Sequence, residues 1–170
     1  MNKEGNIPRM KGLPKTHKEE IGLRPIVNGK ETVLEELEAE MAIVLRVVEN
    51  RQAKRKLNSE ELVEEWKYEM MFSLDMEKMF TSLKRNEVKK EVERLIEDEE
   101  IIRGWKKEET VKNLEYIWEN QYCIIEGDIL KVKKGLAIGS KMSSVLAEIL
   151  MKKWEKEKID EEHRIRKFKR

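Results

Sequence analysis

The sequence predicts an α/β fold of the α+β kind, in which antiparallel strands are backed by helices and a smaller lobe of hairpin plus helix comes before them. Three observations carry this expectation. Several stretches repeat apolar residues at the three- and four-residue spacing of an amphipathic helix. Short β-prone runs lie between them, bounded by glycine and asparagine turn signals. All three prolines, with Gly5, Gly12, Gly22 and Gly29, fall in the first 29 residues, which therefore read as extended and turn-rich.

With 170 residues the chain is long enough for one domain with a true core, or for two small lobes sharing an interface. The expected division is 1–66 and 67–170. Charged residues make up 42% of the chain but the formal net charge is only +1, so any basic patch must be local. Cys123 is the only cysteine, which excludes an internal disulfide and suits a reducing compartment. His17 and His163 lie far apart with no cysteine partner, which argues against structural zinc. No apolar run approaches the roughly 20 residues that span a bilayer, and the polar amino terminus lacks a signal-peptide core. A soluble, intracellular chain with no membrane partner is the expectation.

In chain order, Leu13 to Lys18 and Leu23 to Gly29 each set cations beside a proline. Paired around Glu19 to Gly22 they would form a hairpin pointing Lys15 and Arg24 the same way, as a phosphate group would require; solvated basic loops have the same composition. Val33, Leu34, Leu37, Met41, Val44, Leu45 and Val48 then mark one core-facing helix from Lys30 to Glu49. A basic run, Arg51 to Lys56, reads as its solvated end. Asn58 or Ser59 opens a short helix with Leu62, Val63 and Trp66 inward.

The apolar run Met70 to Leu74 reads as a buried strand with Asp75 at its carboxyl end. A carboxylate there is costly to bury without a partner, so it serves either as a metal ligand or as a cap on the turn that follows. Helices follow from about Asn86 to Asp98 and from about Glu108 to Asn120, with Trp105 and Trp118 as core or interface residues. Tyr122 to Ile125 and Ile129 to Val132 form strands joined at Gly127-Asp128. Gly135 to Ser144 is a glycine- and serine-rich loop opening a helix with Val145, Leu146, Ile149, Leu150 and Trp154 on one side. Such a loop offers N–H groups to a phosphate or sugar. It misses the P-loop pattern, because Ser140 stands where the second glycine is needed. The chain closes on an alternating basic stretch, Arg164 to Arg170.

Four segments in this order, Pro14 to Lys18, Arg24 to Val27, Asp75 with Phe80-Thr81, and Gly135 to Ser143, resemble the reverse transcriptase of Penelope-like retroelements. The resemblance implies a polymerase palm over 67–170, with a fingers-like lobe over 1–66. It implies RNA-directed DNA synthesis by two-metal nucleotidyl transfer, using Mg2+ or Mn2+, a deoxynucleoside triphosphate and an RNA or DNA template-primer. By the same resemblance Asp75 is the first catalytic and metal-binding carboxylate, with the Met76 carbonyl beside it. Phe80 lies under the sugar and excludes a 2′-hydroxyl. Arg24 and Lys15 hold the triphosphate, and Gly135, Gly139 and Ser140 let nucleotide and template approach the backbone. His17, Lys18, Arg166 and Lys167 contact nucleic acid, and a nuclear setting is implied although no targeting signal is present.

Two departures matter. Lys141 and Ser144 stand where the family's loop has prolines, and the family's aromatic-x-Asp-Asp hairpin does not occur. The expectation is therefore a fragment lacking the rest of the palm and the thumb, or a decayed copy, inactive alone, with an exposed strand edge near Ile165 to Phe168. Two other readings stand beside it: a non-catalytic module that binds nucleic acid, and a helical protein-interaction domain.

Overall fold

The computed structural model describes residues 6–14, 23–52 and 75–158. In chain order these form β1 (Met10–Pro14), β2 (Leu23–Val27), α1 (Glu35–Asn50), α2 (Met79–Ser82), α3 (Arg85–Leu95), β3 (Ile101–Ile102), β4 (Trp105–Lys106), α4 (Lys107–Glu119), β5 (Tyr122–Ile125), β6 (Asp128–Lys131) and α5 (Ser143–Lys158). The result is a mixed α/β fold whose described strands make three separate antiparallel pairs, β1 with β2, β3 with β4 and β5 with β6. The expected strand Met70 to Leu74, the helix near Leu62 and the basic stretch Arg164 to Arg170 lie outside the described residues. No described helix is long and apolar enough to cross a membrane.

Helical spacing builds the core. Met41, Val44, Leu45 and Val48 of α1 are fully buried, as are Val88 and Val92 of α3, Leu114 and Ile117 of α4, and Leu146 and Ile149 of α5. They join one cluster with Ile96, Trp118, Met142 and Val145. Each large aliphatic side chain so buried contributes about 1.5–3 kcal/mol of transfer free energy. The acidic first turn of α1, Glu35, Glu36 and Glu38, sits at the positive end of the helix dipole. Its start also uses a carboxylate directly, since the Glu31 N–H donates to Glu35 Oε2 at 2.6 Å. Val33, expected on the buried face, is 74% exposed because the helix begins after it.

Polar groups at the edge of this core are paired. Lys152 Nζ lies 2.5 Å from Glu49 Oε1 with both side chains buried, and it also donates to the Glu49 carbonyl at 2.9 Å. Glu91, only 1% exposed, accepts from Arg94 Nη2 at 2.6 Å and from Gln52 Nε2 at 3.3 Å, with Lys153 Nζ at 3.6 Å. These contacts tie α1, α3 and α5 where unpaired charge would be costly.

The amino-terminal segments do pair antiparallel, but the first strand is Met10–Pro14 and not Leu13 to Lys18: Met10 pairs with Val27, Leu13 with Arg24 and Pro14 with Leu23, and the expected common direction of Lys15 and Arg24 falls outside the described residues. The β5–β6 hairpin is also present, but its turn lies one residue earlier than Gly127-Asp128. Ile125 pairs with Asp128, so Glu126 and Gly127 are the two turn residues. Both have positive φ, 52° and 99°, as a type I′ turn requires, and glycine takes the second place without strain.

Candidate functional site

The glycine-rich loop is where the distant segments meet. It leaves β6, passes between α2 and β2, and enters α5. On one side the Leu136 N–H donates to the Phe80 carbonyl at 2.7 Å. On the other the Val27 N–H donates to the Ile138 carbonyl at 2.7 Å, and Ile26 and Ile138 form a parallel bridge. One loop thereby joins the Arg24 strand to the α2 turn at Phe80, five residues after Asp75.

Its glycines explain how the backbones come so close. Gly135 has φ +70°, and a Cβ there would lie 2.8 Å from the Phe80 carbonyl oxygen and 2.9 Å from Thr81 Cα. Gly139 has φ +105°, and a Cβ there would collide with the Val27 carbonyl oxygen. Both positions are left-handed and crowded, so glycine is required on two grounds. The close approach expected of these residues is thus made, in this chain, by its own backbone.

Asp75 and Met76 are exposed and precede the single turn of α2. Lys78 takes a left-handed conformation, φ 52°, and its carbonyl accepts from Thr81 Oγ1 at 3.1 Å and Ser82 Oγ at 2.9 Å. The turn is therefore closed by hydroxyls, and the Asp75 carboxylate takes no part in capping it. Phe80 is half-buried and packs on the main core, which anchors the turn from below. Arg24 is exposed on β2, opposite Leu13. Gly135 is buried, Gly139 exposed and Ser140 half-buried. Lys15, His17, Lys18, Arg166 and Lys167 lie outside the described residues.

Two charged residues that sequence reasoning did not single out shape this corner. Arg85, at the start of α3, donates from Nε to the Gly135 carbonyl at 2.9 Å, from Nη1 to the Trp118 carbonyl at 3.1 Å and from Nη2 to Gln121 Oε1 at 3.0 Å. It also lies over the Trp118 ring, 5.8 Å from its centre. Burial among these neutral partners lowers the guanidinium pKa below its usual value. Glu38, 7% exposed, accepts from the Lys141 N–H at 3.3 Å, while Lys141 Nζ reaches Glu35 Oε1 at 2.9 Å. Burial raises the Glu38 carboxyl above the ordinary carboxylate value, against the weaker opposing pull of Ser140, the Lys141 N–H and Gln121. Neither residue carries a sequence signal, because each acts through partners far away in the chain.

Two concavities flank the corner. A cavity of about 240 Å³ lies between residues 6–8, the start of α1, the end of α4 and the loop. A more open groove of about 400 Å³ is lined by Arg85, Lys89, Lys131, Lys133, Glu115 and Trp118. Lys131 there stands over the Tyr122 ring at 5.8 Å.

As a metal ligand set the corner is incomplete among the described residues, which contain no group of three or more His, Cys, Asp or Glu side chains able to hold an ion. The burial of the Cys123 thiol pushes its pKa up, so it is not poised as a nucleophile. No protein-family model matches the chain, and no curated protein matches it in sequence.

Proposed function

We propose that the chain carries the nucleotide- and template-binding corner of an RNA-directed DNA polymerase of the Penelope-like kind. The observation that supports this reading is the meeting of three motif segments on one loop. Ile138 holds the Arg24 strand at 2.7 Å, and Leu136 holds the Phe80 turn at 2.7 Å. Segments drawn together for stability alone have no need of the motif order that the sequence displays.

In this reading β2 presents Arg24 to the triphosphate, where a guanidinium can make paired bonds to phosphate oxygens. Asp75 and the Met76 carbonyl take the magnesium that the triphosphate brings, and Phe80 supports the sugar from the core side. Mg2+ when bound supplies charge stabilisation at the attacking and leaving oxygens of an in-line displacement. The chain's own residues position the nucleotide, and the palm assignment of the α/β fold belongs to this proposal.

Primer extension and nucleotide binding test it together. Metal-dependent binding of a deoxynucleoside triphosphate is expected, reduced about ten-fold or more by Asp75→Ala, the equivalent of about 1.4 kcal/mol. Where extension on a primer-template is detected, Asp75→Ala abolishes it; unchanged extension contradicts the proposal.

A second reading, nucleic-acid binding without catalysis, draws on the groove that holds Arg85, Lys131 and Lys133. It predicts salt-dependent binding of a primer-template whose slope falls on Lys131→Ala and Lys133→Ala, because phosphate contacts release counterions. Binding indifferent to both salt and these substitutions removes that reading.

A further inference from the structure

Among the described residues that line the cavity of about 240 Å³ beside the loop, one side chain is charged, Glu38. The others are apolar or neutral and include Ile7, Pro8, Tyr116, Tyr122 and Ser140. Glu38 is 93% removed from solvent by the measure that leaves it 7% exposed, yet the described structure gives it no cationic side chain within ion-pair reach. Lys141, the nearest cation, is committed to Glu35 at 2.9 Å and reaches Glu38 only through its main-chain N–H. The neutral side chains of Ser140 and Gln121 lie against the Glu38 carboxylate and, with the Lys141 N–H, favour its charged form, but none of them carries a positive charge.

Buried carboxylates are normally paired with a cation or a metal ion, because an unpaired charge away from water is costly. Here a cationic partner has a cavity to occupy, whose lining includes the Ser140 hydroxyl and the tyrosines Tyr116 and Tyr122, 52% and 39% exposed. Aromatic faces and a carboxylate are the chemistry that receives an organic cation. Among the described lining residues the one charge is negative, which disfavours anionic ligands. The volume falls below the roughly 300–1,000 Å³ of drug-sized pockets, so the occupant is compact.

We propose that this cavity is a binding site for a small organic cation, an ammonium group on a short apolar body, with Glu38 as counter-ion and Ser140 as hydrogen-bond acceptor. Tyr116 and Tyr122 close over the apolar part. The site uses neither Asp75 nor Arg24, so it stands or falls apart from the polymerase reading.

The test is a titration of the full chain with n-butylammonium and with n-butanol, which share a shape and differ in charge. The ammonium is expected to bind at least about ten-fold more tightly, Glu38→Gln to erase that preference, and Tyr116→Ala to weaken ammonium binding several-fold. Tyr116 is exposed, so its variant keeps the test readable should Glu38→Gln fail to fold. Equal binding of the two probes, ammonium binding untouched by either substitution, or no ammonium binding up to about 10 mM overturns the proposal.

Discussion

The helical layer and the loop corner are held together by different forces. In the layer, α1, α3, α4 and α5 meet through fully buried aliphatic side chains such as Leu45, Val92, Leu114 and Leu146. In the corner, β2, the α2 turn and the loop meet through main-chain hydrogen bonds, with glycines where the backbones nearly touch. Apolar packing is forgiving of exact shape, since similar volumes substitute for one another. Backbone contact is not, because no side chain larger than hydrogen fits. The layer can therefore drift in sequence and persist, while the corner depends on particular residues.

Substitutions break the comparison in graded steps. Gly139→Ala puts a methyl group on the Val27 carbonyl and forces a left-handed conformation on alanine. Strain of about 1–3 kcal/mol and overpacking of similar size should detach β2 from the loop. Thermal denaturation should show the loss, and the proposed nucleotide binding should vanish while helical circular dichroism persists. Leu146→Ala removes a fully buried side chain from the layer and should cost about 2–5 kcal/mol. Nucleotide binding well below its melting temperature should survive. Should Gly139→Ala and Leu146→Ala affect binding alike, the two regions are not separable in this way.

Arg85→Met tests the seam between them. It keeps the stem but strands the carbonyls of Gly135 and Trp118 and the Gln121 side chain, at a cost of about 1–3 kcal/mol measurable by urea denaturation. A change of less than a few tenths would show that water replaces the guanidinium.

The two regions also respond oppositely to acid. Glu38, in the corner, has its carboxyl raised by burial, so its charge opposes folding above the ordinary carboxylate range and that cost disappears as pH falls. Glu91, in the layer, is pushed upward by burial, but Arg94, Lys153 and Gln52 outweigh this and hold it below the ordinary value. Its contribution is present above that value and is lost as pH falls through the lowered one. At neutral pH Glu38→Gln should therefore raise the melting temperature and Glu91→Gln should lower it, with both differences shrinking in acid. Smallest of all, removing the exposed Arg51–Glu100 pair by Arg51→Ala should alter stability by no more than about 1 kcal/mol.

Legibility in the sequence follows the same division. The helices around Met41, Val92, Leu114 and Ile149 could be read because apolar periodicity reports a buried face directly. The β3–β4 hairpin escaped notice because strands of two residues carry no period; only Arg103-Gly104, with φ of 51° and 87°, marks its turn. The shift of the β5–β6 turn to Glu126 and Gly127 arose from placing glycine first in the turn rather than second. The resemblance implies that the loop glycines admit nucleotide and template; that they pack against the chain's own Phe80, Thr81 and Val27 is set by tertiary contact and has no signal in the sequence. Glu38 carries no signal in the sequence, since nothing local announces that Lys141 and Ser140 lie against it.

The measurement that bears most directly on the corner as a nucleotide site is calorimetric titration of a deoxynucleoside triphosphate in magnesium and in excess chelator. It should be run on the native chain, Asp75→Asn and Arg24→Ala. The account predicts saturable binding in magnesium, loss of the metal-dependent part in Asp75→Asn, and weakening with and without metal in Arg24→Ala. Binding that ignores magnesium and both substitutions would contradict it.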